Sequence, residues 1–264
     1  MIPFTKAHGN GNDFIIFVAE DCPNVIRDPA FLQRACDRHK GVGADGVMIL
    51  SQSDDESIDF NLDYHNADGS WETLCANGSR CAVQFHARRQ GRDGAFVIRT
   101  GAGLHRTEVL ADGMVRLQIL PPNLVSKIID PCGITGQHVD SGAPHFCARV
   151  ENLSHELILK KGPLIRNHQL FQPRGVNVNL YVKVDEHTLQ VRTYEKGVEA
   201  TVLSCASGST AAAYHAAVTG AMASPIRVVN PGGELLIEFD PEWQDVSVTG
   251  PVVLVYDSQL PDDF

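Results

Sequence analysis

The chain has 264 residues, 43% of them hydrophobic, and a formal net charge of −10. That is enough apolar material for one large core or two moderate ones, and two domains of similar size is the expectation at this length. The negative balance repels a phosphate backbone and no Lys/Arg run interrupts it, so nucleic acid is not expected as a partner; the densest basic pair, Arg88-Arg89, reads as a solvated helix face.

The N-terminus runs from Met1-Ile2-Pro3-Phe4-Thr5 into a Gly/Asn-rich turn, without a basic leader, a long apolar stretch or a small-residue cleavage site. No segment approaches the ~20 apolar residues of a membrane span, so a soluble, cytoplasmic protein with no membrane partner is expected. Seven cysteines, an odd number without framework spacing and without a Cys-x-x-Cys pair, read as reduced thiols rather than a redox or metal site.

Strand-like runs recur at residues 14–18, 47–50, 60–64, 95–99, 107–110, 115–120, 178–184, 189–193, 235–239 and 252–256. Helical patterns are fewer: 29–38, the stretch after Cys75 to about Arg89, 154–164, and the stretch after Cys205 to about Val218. The pattern alone gives mixed α and β. No linker or low-complexity tract is present, so a domain border falls in an ordinary turn such as 120–123.

The two halves echo each other. Cys75-Ala76-Asn77-Gly78-Ser79 leads into an Ala-containing helical run that stops near Gly91, and Cys205-Ala206-Ser207-Gly208-Ser209, 130 residues further on, leads into another that stops near Gly220. A short match of this kind arises by chance, but the shared downstream helix and the half-chain offset favour a duplicated unit with a cysteine at a helix start. A thiol there faces unpaired N–H groups and the positive end of the helix dipole, which favour thiolate and bind anions. Two such helix starts face to face would hold a carboxylate between two thiols, the geometry for inverting its α-carbon: one thiolate removes the proton, N–H donors stabilise the charge, and the other thiol reprotonates the opposite face. Most cysteines are inert small hydrophobes, the reading adopted for Cys22, Cys36, Cys81, Cys132 and Cys147. For Cys75 and Cys205 the residues alone leave reactive and structural readings in balance.

Nine segments in register resemble the diaminopimelate epimerase family over essentially the whole length. They are Lys6-Ala7-His8-Gly9-Asn10-Gly11-Asn12-Asp13-Phe14, Gly41-Val42-Gly43-Ala44-Asp45-Gly46, Asn66-Ala67-Asp68-Gly69-Ser70, Cys75 through Cys81, Gly142-Ala143-Pro144-His145, Asn177 with its flanks, Tyr194-Glu195-Lys196-Gly197, Ser204 through Gly208, and Asn230-Pro231-Gly232-Gly233. The resemblance implies an α+β fold of two similar lobes, each a mixed, barrel-like sheet around a central helix, with the active site between them. It implies an N-terminal lobe of residues 1–120, to which 251–264 return, and a C-terminal lobe of 121–250. The implied reaction is a 1,1-proton transfer between LL- and meso-diaminopimelate in lysine and cell-wall precursor synthesis, with no cofactor and no metal. Cys75 and Cys205 match the acid/base pair. The reacting carboxylate would rest on the amides around Ala76-Asn77 and Ser207-Gly208. Asn12, Asn66, Asn177 and Glu195 would read the distal end of the substrate, with His145 near the reacting centre. The expected partner is a small amino acid; the resemblance also leaves room for a homodimer.

Three departures bear on substrate. Lys196 stands where the family commonly has an Arg that grips the distal carboxylate, so the charge is kept and the bidentate fork is lost. Ala143 replaces a frequent Asn. Ala76 and Ala206 each replace the Gly that usually follows the cysteine, which catalysis tolerates only if those positions do not need φ > 0. The competing readings are a related racemase of another amino acid, a non-catalytic amino acid binding protein, and a cysteine hydrolase with a Cys75–His145 dyad. Retention of both cysteines speaks against the binding protein, and a hydrolase has no use for Cys205.

Overall fold

The computed structural model describes residues 1–220 and 222–264. The chain divides into two compact units, Met1–Gln118 with Gly250–Phe264, and Ile119–Thr249. The α-helices of the described residues are α1 (Pro29–Cys36), α2 (Ala76–Gln90), α3 (His155–Arg166) and α4 (Ala206–Gly220). None is long and apolar enough to cross a membrane.

In the first unit the strand Ile2–Gly9 lies between Val253–Leu260 and Asn12–Val18, antiparallel to both. The hairpin closes on the pair Gly9 and Asn12, with φ of 55° at Asn10 and 81° at Gly11. Two positive φ values are what a two-residue turn matched to strand twist requires, and Asn-Gly supplies them cheaply. Asn12–Val18 then pairs parallel with Gly46–Ser51, which needs a crossover, and α1 provides it. Asp28 caps α1, its carboxylate accepting from the Ala30 and Phe31 N–H groups at 2.8 and 3.2 Å. After the antiparallel strand Phe60–Asn66, α2 crosses over to Gly94–Thr100, which lies parallel to it; Gly103–Val109 and Val115–Ile119 complete the meander.

The runs Phe14-Ile15-Ile16-Phe17 and Val47-Met48-Ile49-Leu50 are buried at every residue. A strand covered on both faces has no polar side, which is why these runs do not alternate. Ile15, Phe17, Val47 and Ile49 pack with Phe31, Leu32 and Ala35 of α1, while α2 packs across the strands Ile2–Gly9, Asn12–Val18, Gly46–Ser51 and Gly103–Val109.

The second unit repeats this order. The hairpin Gln137–Asp140 and Pro144–Arg149 is followed by α3, which crosses over to Asn177–Lys183, parallel to Pro144–Arg149. Thr188–Glu195 pairs antiparallel with Asn177–Lys183, and α4 crosses from it to the parallel strand Ile226–Asn230. Gly233–Phe239 and Val246–Gly250 close the set. Each unit is thus a mixed, curled sheet with one outer crossover helix and one inner, small-residue helix, the architecture expected. All four expected helices are present. The strands Ile2–Gly9, Gln137–Asp140, Pro144–Arg149, Ile226–Asn230 and Val246–Gly250, and the short Trp71–Glu72, Asn123–Leu124 and Ala200–Val202, lie outside the runs named from the sequence.

One polar cluster ties the first hairpin to the loop that follows α1. Lys6 Nζ meets Asp13 Oδ2 at 2.7 Å and also donates to the Gly43 carbonyl, while Arg38 donates to both Asp13 oxygens at 2.8 and 3.0 Å and to Asp45 at 2.7 Å. Burial pushes the Asp13 carboxyl up, but the Arg38 and Lys6 hydrogen bonds outweigh it and hold the group at about 2. A folded value below the ordinary 3.8 gives stability that is present above pH 4 and lost as pH falls towards 2, on the order of 2 kcal/mol. Asp13→Asn should therefore lower stability at neutral pH by about 2–4 kcal/mol in urea unfolding and flatten the wild-type loss below about pH 4. Equal acid sensitivity in both proteins would show that the cluster is not the source.

Candidate active site

Cys75 occupies the N-cap of α2 in extended backbone, with φ −126° and ψ 109°, and is half-buried. Its carbonyl already accepts the Ser79 N–H at 2.8 Å, so the helix begins at the next residue. The first-turn N–H groups have no intrahelical acceptor and carry the positive end of the helix dipole. The hairpin places Asn12 against this turn: Asn77 Nδ2 donates to Asn12 Oδ1 at 3.1 Å, and the Cys75 thiol points at the same oxygen at 3.9 Å. Asn12 is oriented by Asp45, whose Oδ2 accepts from Asn12 Nδ2 at 2.8 Å.

Arg80, one turn further along α2, is completely buried. It donates to Asn77 Oδ1 at 2.9 Å, to the Ala76 carbonyl at 3.3 Å and to Asn10 Oδ1 at 3.5 Å, and forms no ion pair among the described residues. Burial brings its pKa down only to about 10, so it remains cationic at neutral pH, and the charge acts on Cys75 and Cys81. The Cys81 thiol is itself pushed up to about 12 by burial and stays neutral. Cys75 is the thiol on which a fixed positive charge can act.

Cys205 holds the equivalent place before α4, its carbonyl accepting the Ser209 N–H at 2.8 Å. Its Sγ accepts the Gly208 N–H at 3.4 Å and lies 3.5 Å from Ser207 Oγ. Ser207 Oγ is also 3.1 Å from Nε2 of the wholly buried His145, and the Ser207 carbonyl accepts from Ser141 Oγ at 2.9 Å. Where α2 has Arg80, α4 has Thr210, whose hydroxyl returns to the Ala206 carbonyl at 3.0 Å.

Both glycines of the Cys-x-x-Gly segments sit against packed side chains, and Gly208 faces one that is held in place. A Cβ at Gly78 would lie 1.6 Å from Met48 Cε, and one at Gly208 would lie 2.3 Å from Asn179 Oδ1. Ala76 and Ala206 are the first residues of their helices and neither has positive φ, so the added methyls do not strain the backbone.

The other expected residues fall as follows. Asn177 lies beside His145 in the parallel register and its Oδ1 accepts the Lys196 backbone N–H at 2.8 Å. Lys196 is half-buried, and its ammonium makes no ion pair among the described residues. Glu195 ends the strand Thr188–Glu195. Asn66 is held in the 66–70 turn, accepting from Tyr64 Oη at 2.6 Å and donating to Ser70 Oγ at 3.0 Å. Sequence reasoning missed Arg80, Asp45, Asn179 and Thr193. Asn179 carried a signal, because Asn-x-Asn on a strand puts both side chains on one face.

Compared with known proteins, residues 4–125 and 138–255 match the family model described as diaminopimelate epimerase. The chain belongs to the diaminopimelate epimerase family. It is 35% identical to a diaminopimelate epimerase of Aquifex aeolicus (strain VF5), with 98% of each chain covered. It is also 35% identical to one of Chlorobaculum tepidum, covering 94% of this chain and 97% of the relative. Among solved structures, a probable proline racemase from Agrobacterium radiobacter K84 superposes with a TM-score of 0.76 at 16% identity, covering 100% of this chain and 94% of that one, a likeness of fold.

A cation fixed beside a thiol favours its anionic form. In Arg80→Met the pH midpoint of Cys75 alkylation by iodoacetamide should rise by about one unit, with the Cys205 midpoint unmoved, when both peptides are followed by mass spectrometry. An unshifted Cys75 midpoint in the folded variant would reduce Arg80 to a packing residue.

Proposed function

We propose that this chain is a cofactor-independent isomerase that interconverts LL- and meso-2,6-diaminopimelate by two-base 1,1-proton transfer. The observation that carries the reading is the repeated placement of one cysteine at the start of the buried helix of each unit, in a chain whose family is named for this reaction. One cysteine, as thiolate, takes the α-proton; the C–H bond breaks and its electron pair moves into the carboxylate. The other thiol releases its proton to the opposite face of the carbon. Protons balance, and the two sulfurs exchange protonation states in each turnover.

The reacting carboxylate rests on first-turn N–H groups around Ala76-Asn77 and Ser207-Gly208, where developing charge is met by donors that need no reorganisation. Asn12, fixed by Asp45 and Asn77, borders Cys75; His145 borders Cys205 through Ser207. The distal amino acid end is read by Asn66, Asn177, Glu195 and Lys196. Thiols in acid/base roles must stay reduced, which suits a cytoplasmic enzyme.

Lys196 motivates the second reading, a racemase of another amino acid. An ammonium supplies a point charge without two parallel N–H donors, so a distal carboxylate is held less selectively than by Arg. Cys75→Ala and Cys205→Ala should each lower kcat/KM for LL-diaminopimelate at least ~10³-fold, because each removes the base or acid of one face. Lys196→Ala should raise KM about 10–100-fold, the loss of a charge-assisted hydrogen bond, and Lys196→Arg should match or exceed wild type. Steady-state kinetics on LL-diaminopimelate, lysine and glutamate decide between the readings. Faster wild-type turnover of lysine or glutamate replaces diaminopimelate as substrate, and full activity in either cysteine variant removes the two-base scheme.

A further inference from the structure

Behind Cys205 runs a chain of hydrogen bonds whose direction is fixed from its buried end. Thr193 and Asn179 sit opposite each other in the antiparallel register, and Asn179 lies beside Cys147 in the parallel one. Thr193 Oγ1 donates to Asn179 Oδ1 at 2.9 Å. Asn179 Nδ2 lies 2.9 Å from His145 Nδ1, 3.5 Å from the Phe146 carbonyl and 3.9 Å from Cys147 Sγ. An inverted amide would turn Oδ1 towards the Phe146 carbonyl, acceptor against acceptor, whereas the present sense matches donor to acceptor at Thr193, His145 and Phe146. Asn179 is itself wholly buried, and the absent side chain of Gly208 is what gives its Oδ1 room.

We infer that Thr193 and Asn179 are positioning residues that lock the tautomer of His145 and thereby make Ser207 a hydrogen-bond donor to Cys205. The inference rests on Cys205 being an acid/base group of the proposed reaction. With Nδ1 accepting from Asn179, the neutral ring carries its proton on Nε2. Nε2–H donates to Ser207 Oγ at 3.1 Å and has no lone pair to offer in return. The Ser207 hydroxyl proton is then directed at Cys205 Sγ, 3.5 Å away, alongside the Gly208 N–H at 3.4 Å. Two donors on one sulfur favour thiolate over thiol. Burial, with the neighbouring His138 adding to it, holds His145 down at about 3, so the ring stays neutral through the working range and acts as an oriented spacer. Cys147, which interacts with Cys205, is pushed above the usual thiol range by burial and adds no charge.

The surroundings described for Cys75 are of another kind. Cys75 points at an acceptor, Asn12 Oδ1, and has the Arg80 charge acting on it in addition to the helix start. The two thiols are thus supported by different means, one by a buried charge and one by aligned neutral donors.

The test uses the full-length enzyme without substrate, so it stands or falls separately from diaminopimelate turnover. Long-range 1H–15N correlation of 15N-histidine-labelled protein, with His145 assigned from His145→Gln, should show the Nε2–H tautomer. In Asn179→Leu, close in size and lacking the amide donor, the Nδ1–H form should become populated. Ser207 then turns its proton to Nε2, and the Cys205 alkylation midpoint should rise by about half to one pH unit, a three- to tenfold loss of reactivity at fixed pH, with Cys75 unmoved. Thr193→Val removes only the hydroxyl that fixes the amide and should shift the Cys205 midpoint in the same direction by less; it decides the matter if Asn179→Leu does not fold. An Nδ1–H tautomer in the wild type overturns the inference, as does an unmoved Cys205 midpoint in a folded Asn179→Leu or, failing that, in Thr193→Val.

Discussion

A helix enclosed by its own sheet can present chemistry only at its ends, and that constraint organises both units of this protein. α2 and α4 bury most of their residues, Ala76 to Val83 without a break in one and Gly208 to Ala213 in the other. Over the buried turns small residues predominate, alanine, glycine and serine letting the strands approach closely, and α2 carries its exposed polar side chains in the last turn, Arg88 to Gln90. The first turn is where N–H groups lack helical partners, and each unit puts a cysteine there. Gly208 belongs to the same constraint, since a Cβ there would collide with the buried Asn179 amide, and Gly78 lies against the Met48 side chain.

The repeat copies the scaffold but not the electrostatics. Both units run hairpin, outer crossover helix, antiparallel pair, inner crossover helix and meander, so both cysteines inherit the same backbone. The side chains that meet the sulfurs differ. The first unit places a buried guanidinium in the turn behind Cys75 and orients Asn12 through Asp45; the second carries an uncharged path from Thr193 to Ser207. An isolated buried cation is expensive, and Arg80 is held by three oxygen acceptors rather than a carboxylate, which leaves its charge uncancelled at the helix start. An enzyme that must act on either face of one carbon needs two comparable thiols, and unequal surroundings can reach comparable reactivity by separate routes.

Much of this was legible in the residues, for identifiable reasons. Cysteine followed by small residues and an alanine-bearing run marked α2 and α4, and Gly91 ends α2 with φ 63° as a left-handed cap. The strands Gly46–Ser51 and Asn12–Val18 were visible because burial on both faces demands continuous apolar runs. Ile2–Gly9 was hidden by Pro3, Lys6 and His8, although Lys6 is buried through its pairing with Asp13. Gln137–Asp140 is four residues long, and Pro144–Arg149 opens on a proline, which reads as a turn. The partners of the candidate site residues depend on register, which local pattern does not contain: that Thr193 faces Asn179, or that a two-residue turn sets Asn12 against Asn77, emerges only once the strands are paired.

Following the α-proton in D2O tests the two-thiol path most directly. With LL-diaminopimelate and the wild-type enzyme, sampled early by NMR and mass spectrometry, every molecule of inverted product should carry one deuterium at the reacting carbon while unreacted substrate keeps its protium. That outcome requires the proton to arrive from a group other than the one that removed it. Deuterium entering unreacted substrate as fast as product, or protium carried over into product, is the signature of a single base and would contradict the assignment of Cys75 and Cys205 to opposite faces.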